Sequence, residues 1–151
     1  MNSFTFHITK KEDFSSAFAL MKNEMGAGYA EEFVEEFHLC LKRKKYYGTV
    51  CRMSTGKFVG FVSWRKKMEV AYMETIIIEP EYRRKGIGSM FLKMVEKEAY
   101  NEKAALLNVV TDAENNNEVI QFYLKNGFII SGTVIHEFIP GICQVHLYKK
   151  L

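Results

Sequence analysis

Two short stretches of this chain hold residue types whose spacing could do chemistry. The first is Arg83-Arg84-Lys85-Gly86-Ile87-Gly88-Ser89. Its two glycines stand where a helix should begin, and each would cost roughly 1 kcal/mol against alanine inside a helix. Stability does not explain them; close approach of a ligand to the backbone does. A helix N-terminus offers unpaired N–H groups and a partial positive charge, and Arg83, Arg84 and Lys85 add three formal charges beside it. Phosphate or pyrophosphate suits such a turn. A Walker loop is excluded because no lysine follows Gly86 or Gly88, and a dinucleotide fingerprint is excluded because Phe91 occupies the place of its third glycine. The second stretch is Tyr72-Met73-Glu74-Thr75-Ile76-Ile77-Ile78. A carboxylate within such a run is costly to bury alone, so Glu74 calls for a function, a basic partner or a solvent-facing position.

These residues need elements to hold them. The β-branched run Met73–Ile78 reads as a largely buried strand that Pro80 ends. Alternation places Tyr72, Glu74, Ile76 and Ile78 on one face unless a bulge intervenes. After Gly88, Met90, Phe91, Met94, Val95 and Ala99 recur at helical spacing, so the turn opens an amphipathic helix near Gly86. Earlier in the chain, Ser3–Thr9 alternates as a strand, with Thr9 placed to cap a helix carrying Phe14, Ala17, Phe18 and Met21. That helix should end near Gly26-Ala27-Gly28, and Tyr29–Lys45, with Phe33, Phe37 and Leu41, forms a second. Tyr46–Met53 and Lys57–Arg65 are strands around a Ser54-Thr55-Gly56 turn, and Arg65–Glu69 turns into the strand bearing Glu74. Ala104–Thr111 is a strand reached by a helical crossover, which favours parallel pairing. Asp112–Asn117 can cap a helix over Val119–Asn126 that Gly127 terminates. Phe128–Phe138 and Ile142–Lys149 close the chain, with Pro140-Gly141 at the centre of a type II turn.

Composition narrows the functional classes. A chain of 151 residues, 48% hydrophobic and 26% charged, reads as one domain, residues 1–151, able to build a core without staples. The short, mixed start from Met1 to Lys10 is no signal peptide, and no apolar run approaches the ~20 residues of a membrane span, so a cytoplasmic location is expected. Three cysteines, Cys40, Cys51 and Cys143, lack C-x-x-C spacing, and four scattered histidines lack ligand spacing. No disulfide framework, metal or acyl-cysteine route is expected. A net charge of +3 without a concentrated basic face argues against nucleic acid.

Arg83 to Gly88 fits [RQ]-x-x-G-x-[GA], and Asn116-Asn117-Glu118-Val119-Ile120-Gln121-Phe122-Tyr123-Leu124-Lys125-Asn126-Gly127-Phe128 fits N-x-x-[AV]-x-x-[FL]-Y-x-K-x-G-F. With the preceding strand and Pro80, these segments resemble the GNAT superfamily of acyl-CoA-dependent N-acetyltransferases. The element order β-α-α-β-β-β-α-β-α-β-β is similar to that family's. The resemblance implies an α/β (α+β mixed) fold with a mixed, mostly antiparallel sheet flanked by helices.

It also implies acetyl-CoA (coenzyme A) as acyl donor and a small-molecule or peptide amine as acceptor, by direct attack in a ternary complex. The pyrophosphate would rest on the backbone of Arg84 to Ser89, including Lys85, Gly86, Ile87 and Gly88, with the guanidinium and ammonium side chains of Arg83, Arg84 and Lys85 as auxiliary charge. Backbone groups of Ile76, Ile77 and Ile78 would pair with the pantetheine arm and the acyl carbonyl, and Asn116 would hydrogen-bond that arm or else cap a helix. Tyr123 matches the family's general acid. Glu74 is similar to the base of the spermidine/spermine acetyltransferases, Y-x-E-x-x-x-V there and Y-M-E-T-I-I-I here, where a water chain is the competing base. Glu31, Glu32, Glu35 and Glu36 could draw a cationic amine or simply form a solvated face. A homodimer through the last hairpin stays open. A non-catalytic acyl-CoA-binding sensor is the alternative to the enzyme.

Overall fold

The computed structural model describes residues 3–151. Its elements are β1 (Phe4–Ile8), a single 3-10 turn (Lys11–Asp13), α1 (Phe14–Met25), α2 (Ala27–Lys42), β2 (Tyr46–Met53), β3 (Phe58–Lys67), β4 (Val70–Ile78), a second 3-10 turn (Pro80–Tyr82), α3 (Ile87–Asn101), β5 (Leu106–Asp112), α4 (Asn117–Lys125), β6 (Ile129–Ile135) and β7 (Cys143–Lys150). This is the order expected from the sequence. The hydrogen-bonded strand order is β1-β2-β3-β4-β5-β7-β6. The ladders of β1 with β2, β2 with β3, β5 with β7 and β6 with β7 are antiparallel, and that of β4 with β5 is parallel. A crossover through α3 separates the parallel pair, as parallel pairing requires.

The chain forms two compact units, one of residues up to Arg65 with Glu74–Phe91, the other of Lys66–Met73 with Leu92–Leu151. In the first, Ala30, Phe33, Phe37 and Cys40 of α2 line one helical face and pack with Ala17, Leu20 and Met21 of α1 against Val50, Phe58, Phe61 and Ile77. Phe33 meets Phe61 edge to face at 5.4 Å. Gly60 lets β3 lie tight on β4, since a Cβ there would stand 2.6 Å from the Ile77 carbonyl oxygen.

The expected Thr9 cap is not formed. The Thr9 N–H donates to Gly48 O at 3.0 Å, which keeps that residue on the β2 ladder, and its hydroxyl has no partner among the described residues. Asp13 organises the corner instead. Its carboxylate accepts the Lys10 N–H at 2.8 Å and Arg52 Nη2 at 2.6 Å, with His7 Nε2 at 3.2 Å. Burial alone would raise its pKa, but Arg52, the Lys10 amide and His7 overcome that and hold it below the ordinary value.

In the second unit, Leu107, Val109, Val145 and Leu147 are buried along the β5–β7 ladder. Lys149 Nζ donates to Glu96 at 2.8 Å and to Asn126 O at 2.9 Å. Gly127 has φ +88° as a helix terminator, and Gly141 has φ +84° with Ile142 N–H donating to Ile139 O at 3.1 Å, the type II turn expected. Strand β6 stops at Ile135, short of the expected Phe138. There His136 turns left-handed at φ 62° and its ring Nδ1 accepts the Gly141 N–H at 2.6 Å. No helix among the described residues is long and apolar enough to cross a membrane.

Candidate functional site

Strand β4 and the turn after it lie mostly in the first unit, where Glu74, Ile76, Ile77, Ile78 and Arg83 to Ser89 follow one another along the chain. The turn is braced from below. Tyr82 is buried, its hydroxyl donates to Met53 Sδ at 2.9 Å, and the ammonium groups of Lys57 and Lys85 sit 5.3 and 5.1 Å from its ring centre. Arg83 Nε donates to the Ile78 carbonyl at 3.0 Å and its guanidinium pairs with Glu24. Arg83 thereby fixes the strand end against the turn, and one backbone group of the expected cofactor strand, the Ile78 carbonyl, is engaged by it.

Above this brace the backbone becomes left-handed at Arg84 (φ 59°) and again at Gly86 (φ +82°). A Cβ at Gly86 would meet nothing within 4 Å, so open space and not packing surrounds this residue. Its φ suits glycine because an L side chain there is strained. The Met90 N–H makes the first helical bond, to Gly86 O at 3.0 Å. The N–H groups of Ile87, Gly88 and Ser89 precede it and have no acceptor within the helix, which gives an open end carrying positive partial charge. Lys85 and Arg84 are exposed beside it. An anion with several oxygens fits this cradle, and coenzyme A carries one in its pyrophosphate.

Burial along β4 alternates, with Ala71, Met73, Thr75 and Ile77 buried and Tyr72, Glu74, Ile76 and Ile78 more exposed, as the period of two requires. Glu74 has its basic partner: Arg65 Nε donates to its Oε1, and the Glu74 side chain remains 29% exposed. Opposite the strands is a carboxyl that sequence reasoning placed only in an acidic run. Glu36 of α2 accepts the Ser63 hydroxyl of β3 at Oε1 and the Thr75 hydroxyl of β4 at Oε2, the latter at 3.0 Å. Burial pushes its pKa up to about 7; the two hydroxyl bonds oppose this and the like charge of Glu74 adds to it. Glu31, Glu32 and Glu35 are exposed, the solvated face of the same run. The signal for Glu36 was its position, one residue from Phe37 and four from Cys40, at the border of the buried stripe.

Tyr123 and Asn116 belong to the second unit. Tyr123 is 2% exposed and packs against the rings of Phe122 and Phe128 at 5.1 and 5.3 Å. Burial raises its hydroxyl pKa. Asn116 occupies the N-cap position of α4 without a capping side-chain bond; its amide instead donates to Thr111 Oγ1 at 2.6 Å and Asp112 O at 3.0 Å. Asp112 Oδ1 in turn accepts the buried Gln144 at 2.8 Å. Among the described residues no three His, Cys, Asp or Glu side chains gather as a metal site. Burial lifts the Cys40 thiol to about 12, with both Glu36 and Glu74 adding, and the Cys51 thiol to about 11, so neither is an activated nucleophile.

Comparison with known proteins bears on the family and the fold. The model of the acetyltransferase (GNAT) family matches residues 14–128. The UPF0157 protein YqkA of Bacillus subtilis is 35% identical over 95 residues, 63% of this chain and 27% of that protein. The chain thus spans about a quarter of this curated relative's length. The ribosomal-protein-S18-alanine N-acetyltransferase of Escherichia coli superposes with a TM-score of 0.83 at 16% identity, over 98% of this chain and 94% of that one. An aminoglycoside 6'-N-acetyltransferase complexed with coenzyme A gives 0.80 at 14% identity, over 97% and 96%. At these identities the two superpositions show a shared fold.

Proposed function

Because the chain belongs to the GNAT family of acetyltransferases, we propose that it transfers the acetyl group of acetyl-CoA to a primary amine of a small molecule or peptide, by direct attack within a single catalytic domain. The observation that carries the proposal is the open first turn of α3, with its N–H groups, the left-handed Gly86 and the exposed Arg84 and Lys85. Bound there, acetyl-CoA supplies an activated thioester. The N–H groups of Ile87 to Ser89 hold the pyrophosphate, and backbone groups of Ile76 and Ile77 orient the pantetheine arm and polarise the acyl carbonyl. Asn116 steadies the same arm.

Acyl transfer forms a C–N bond and breaks a C–S bond. The acceptor arrives as an ammonium and loses two protons, one before attack, which Glu74 takes, and one as the amide forms. The departing thiolate takes a proton from Tyr123, and the second proton from nitrogen restores the phenol through solvent, so one proton is released overall. A phenol of reference pKa ~10, raised further by burial, stays protonated at neutral pH and yields its proton to a thiolate of conjugate pKa ~8.5 only when hydrogen-bonded to it. The acceptors named for the two structural relatives, a protein alanine and an aminoglycoside, bracket the range of amines proposed. Self-association through β6 and β7 is part of the proposal, since β6 is exposed along its whole length.

Release of free thiol from acetyl-CoA, measured across polyamines, amino acids, aminoglycosides and peptides, tests the function. Turnover with at least one amine is expected. Coenzyme A that raises the melting temperature while no amine releases thiol would leave a sensor of acyl-CoA in place of an enzyme.

A further inference from the structure

Glu36 is not used by the mechanism above, yet it is the carboxyl most tightly built into the strands that carry it. Its two oxygens accept hydroxyls from two different strands, Ser63 of β3 and Thr75 of β4. Thr75 directly follows Glu74, and Ser63 lies two residues before Arg65, the partner of Glu74. One carboxyl therefore fastens the backbone on both sides of the Glu74–Arg65 pair, and immediately before the Ile76 amide.

For a strut alone, a carboxyl is a poor choice. Removing it from water costs several kcal/mol unless it is fully satisfied, whereas a glutamine would serve the same two hydroxyls with no charge to desolvate. The negative charge needs a further reason. The titratable groups facing Glu36 are few. From β4 comes Glu74, whose charge opposes ionisation of Glu36, and from β3 comes Arg65, which acts on Glu74 directly. From α2 itself comes Cys40, whose thiol stays neutral, with Arg43 beyond it acting on that thiol. Glu36 is thus pinned by hydroxyls and Glu74 by a guanidinium, and the charge of Glu74 disfavours ionisation of Glu36.

We infer that Glu36 is the positioning residue of the proton acceptor: through Ser63 and Thr75 it holds β3 and β4 at Glu74, and protonation of Glu36 loosens that hold. The inference rests on the acyl-transfer reading for its catalytic meaning, while the coupling of the two carboxyls stands without it. With Glu36 ionised, both of its oxygens accept, one from Ser63 and one from Thr75. With Glu36 protonated, one of its oxygens becomes a donor, so one of its two hydroxyl bonds must reverse or break and the strands at Glu74 are held less firmly. The rate should therefore rise as Glu36 loses its proton.

Two measurements decide this. In protein labelled with 13C at the glutamate side-chain carboxyls, the Glu36 signal should titrate near neutral pH, and Glu74→Gln should move its midpoint down because a like charge is removed. This titration needs no substrate. In the turnover assay, kcat/KM of the parent should show a step near pH 7 that is absent in Glu36→Gln, with a plateau lowered about tenfold. Glutamine keeps an acceptor for one hydroxyl and a donor for the other, so at pH values where Glu36 is protonated Glu36→Gln should melt like the parent while Glu36→Ala melts lower. A purely structural Glu36 would be rescued by glutamine in both respects. The inference is overturned if Glu74→Gln leaves the Glu36 midpoint in place, or if Glu36→Gln keeps the parent's step in kcat/KM. A parent that turns over no amine overturns the acyl-transfer reading instead, and the titration tells the two failures apart.

Discussion

At the scale of single residues, Gly86, Tyr123 and Glu36 carry separate tests. Gly86 needs its left-handed φ of +82° but has open space around it. Gly86→Ala should therefore cost about 1 kcal/mol by denaturant unfolding, a conformational cost without a clash. Gly86→Glu, by adding bulk and a repelling charge where the pyrophosphate is proposed to sit, should abolish the rise in melting temperature expected of the parent with coenzyme A; a retained rise would move the cofactor elsewhere. Tyr123→Phe deletes one hydroxyl from a ring packed between Phe122 and Phe128, so coenzyme A affinity should stay while turnover falls by about 10²-fold at saturating substrate. Glu36 bears on stability as well as rate. Its folded pKa is raised from 4.5 to about 7, so across that window the folded protein keeps a proton that the unfolded chain has released. Unfolding free energy should then fall as pH climbs from about 4.5 through 7, by up to about 3 kcal/mol at ~1.4 kcal/mol per unit. Chemical denaturation of parent and Glu36→Gln at several pH values should show this slope in the parent and its absence in the variant.

At the scale of elements, the corner after β1 shows how one polar residue decides a junction. Thr9 has the right type and place to cap a helix, but its N–H belongs to the β2 ladder, and the chain spends another turn before α1 begins at Phe14. The fully buried Asp13 draws together β1 through His7, the turn through Lys10 and β2 through Arg52. Asp13→Asn leaves Arg52 facing a neutral amide and should cost about 2–3 kcal/mol. Because the folded pKa of Asp13 is lowered, its contribution is present above the ordinary carboxylate range and is lost as pH falls through the folded value. An acid titration followed by circular dichroism should therefore show the parent's stability declining at low pH, with the decline reduced in Asp13→Asn.

At the scale of the whole molecule, β6 is the outermost strand of the hydrogen-bonded order, and all seven of its residues are exposed. Ile129, Ile130, Val134 and Ile135 lie open on it. An apolar edge of this kind is a template for pairing, and an antiparallel copy of itself satisfies it with two-fold symmetry. Sedimentation of the parent should report a dimer and Val134→Lys a monomer; a parent that sediments as a monomer removes self-association from the proposal. Much of the rest was legible in the chain. Three isoleucines, a proline and a glycine-bearing basic turn determine strand, stop and helix start because β-branching, a missing N–H and a left-handed φ are properties of the residues themselves. The helix-period stripes of α1, α2 and α3 and the Gly127 and Gly141 turns were readable for the same reason. Element ends moved by one to several residues where tertiary hydrogen bonds outcompeted local preference, as at Thr9 and His136. Contacts between residues distant in sequence could not be read at all. Nothing local shows that Arg65 answers Glu74, that Arg83 turns inward to Ile78 and Glu24, or that among four neighbouring glutamates Glu36 leaves water to meet Ser63 and Thr75. Those pairings exist only in the folded chain, and Glu36 becomes near-neutral because packing α2 onto β3 and β4 strips its carboxyl of solvent, against the opposing pull of its two hydroxyl bonds.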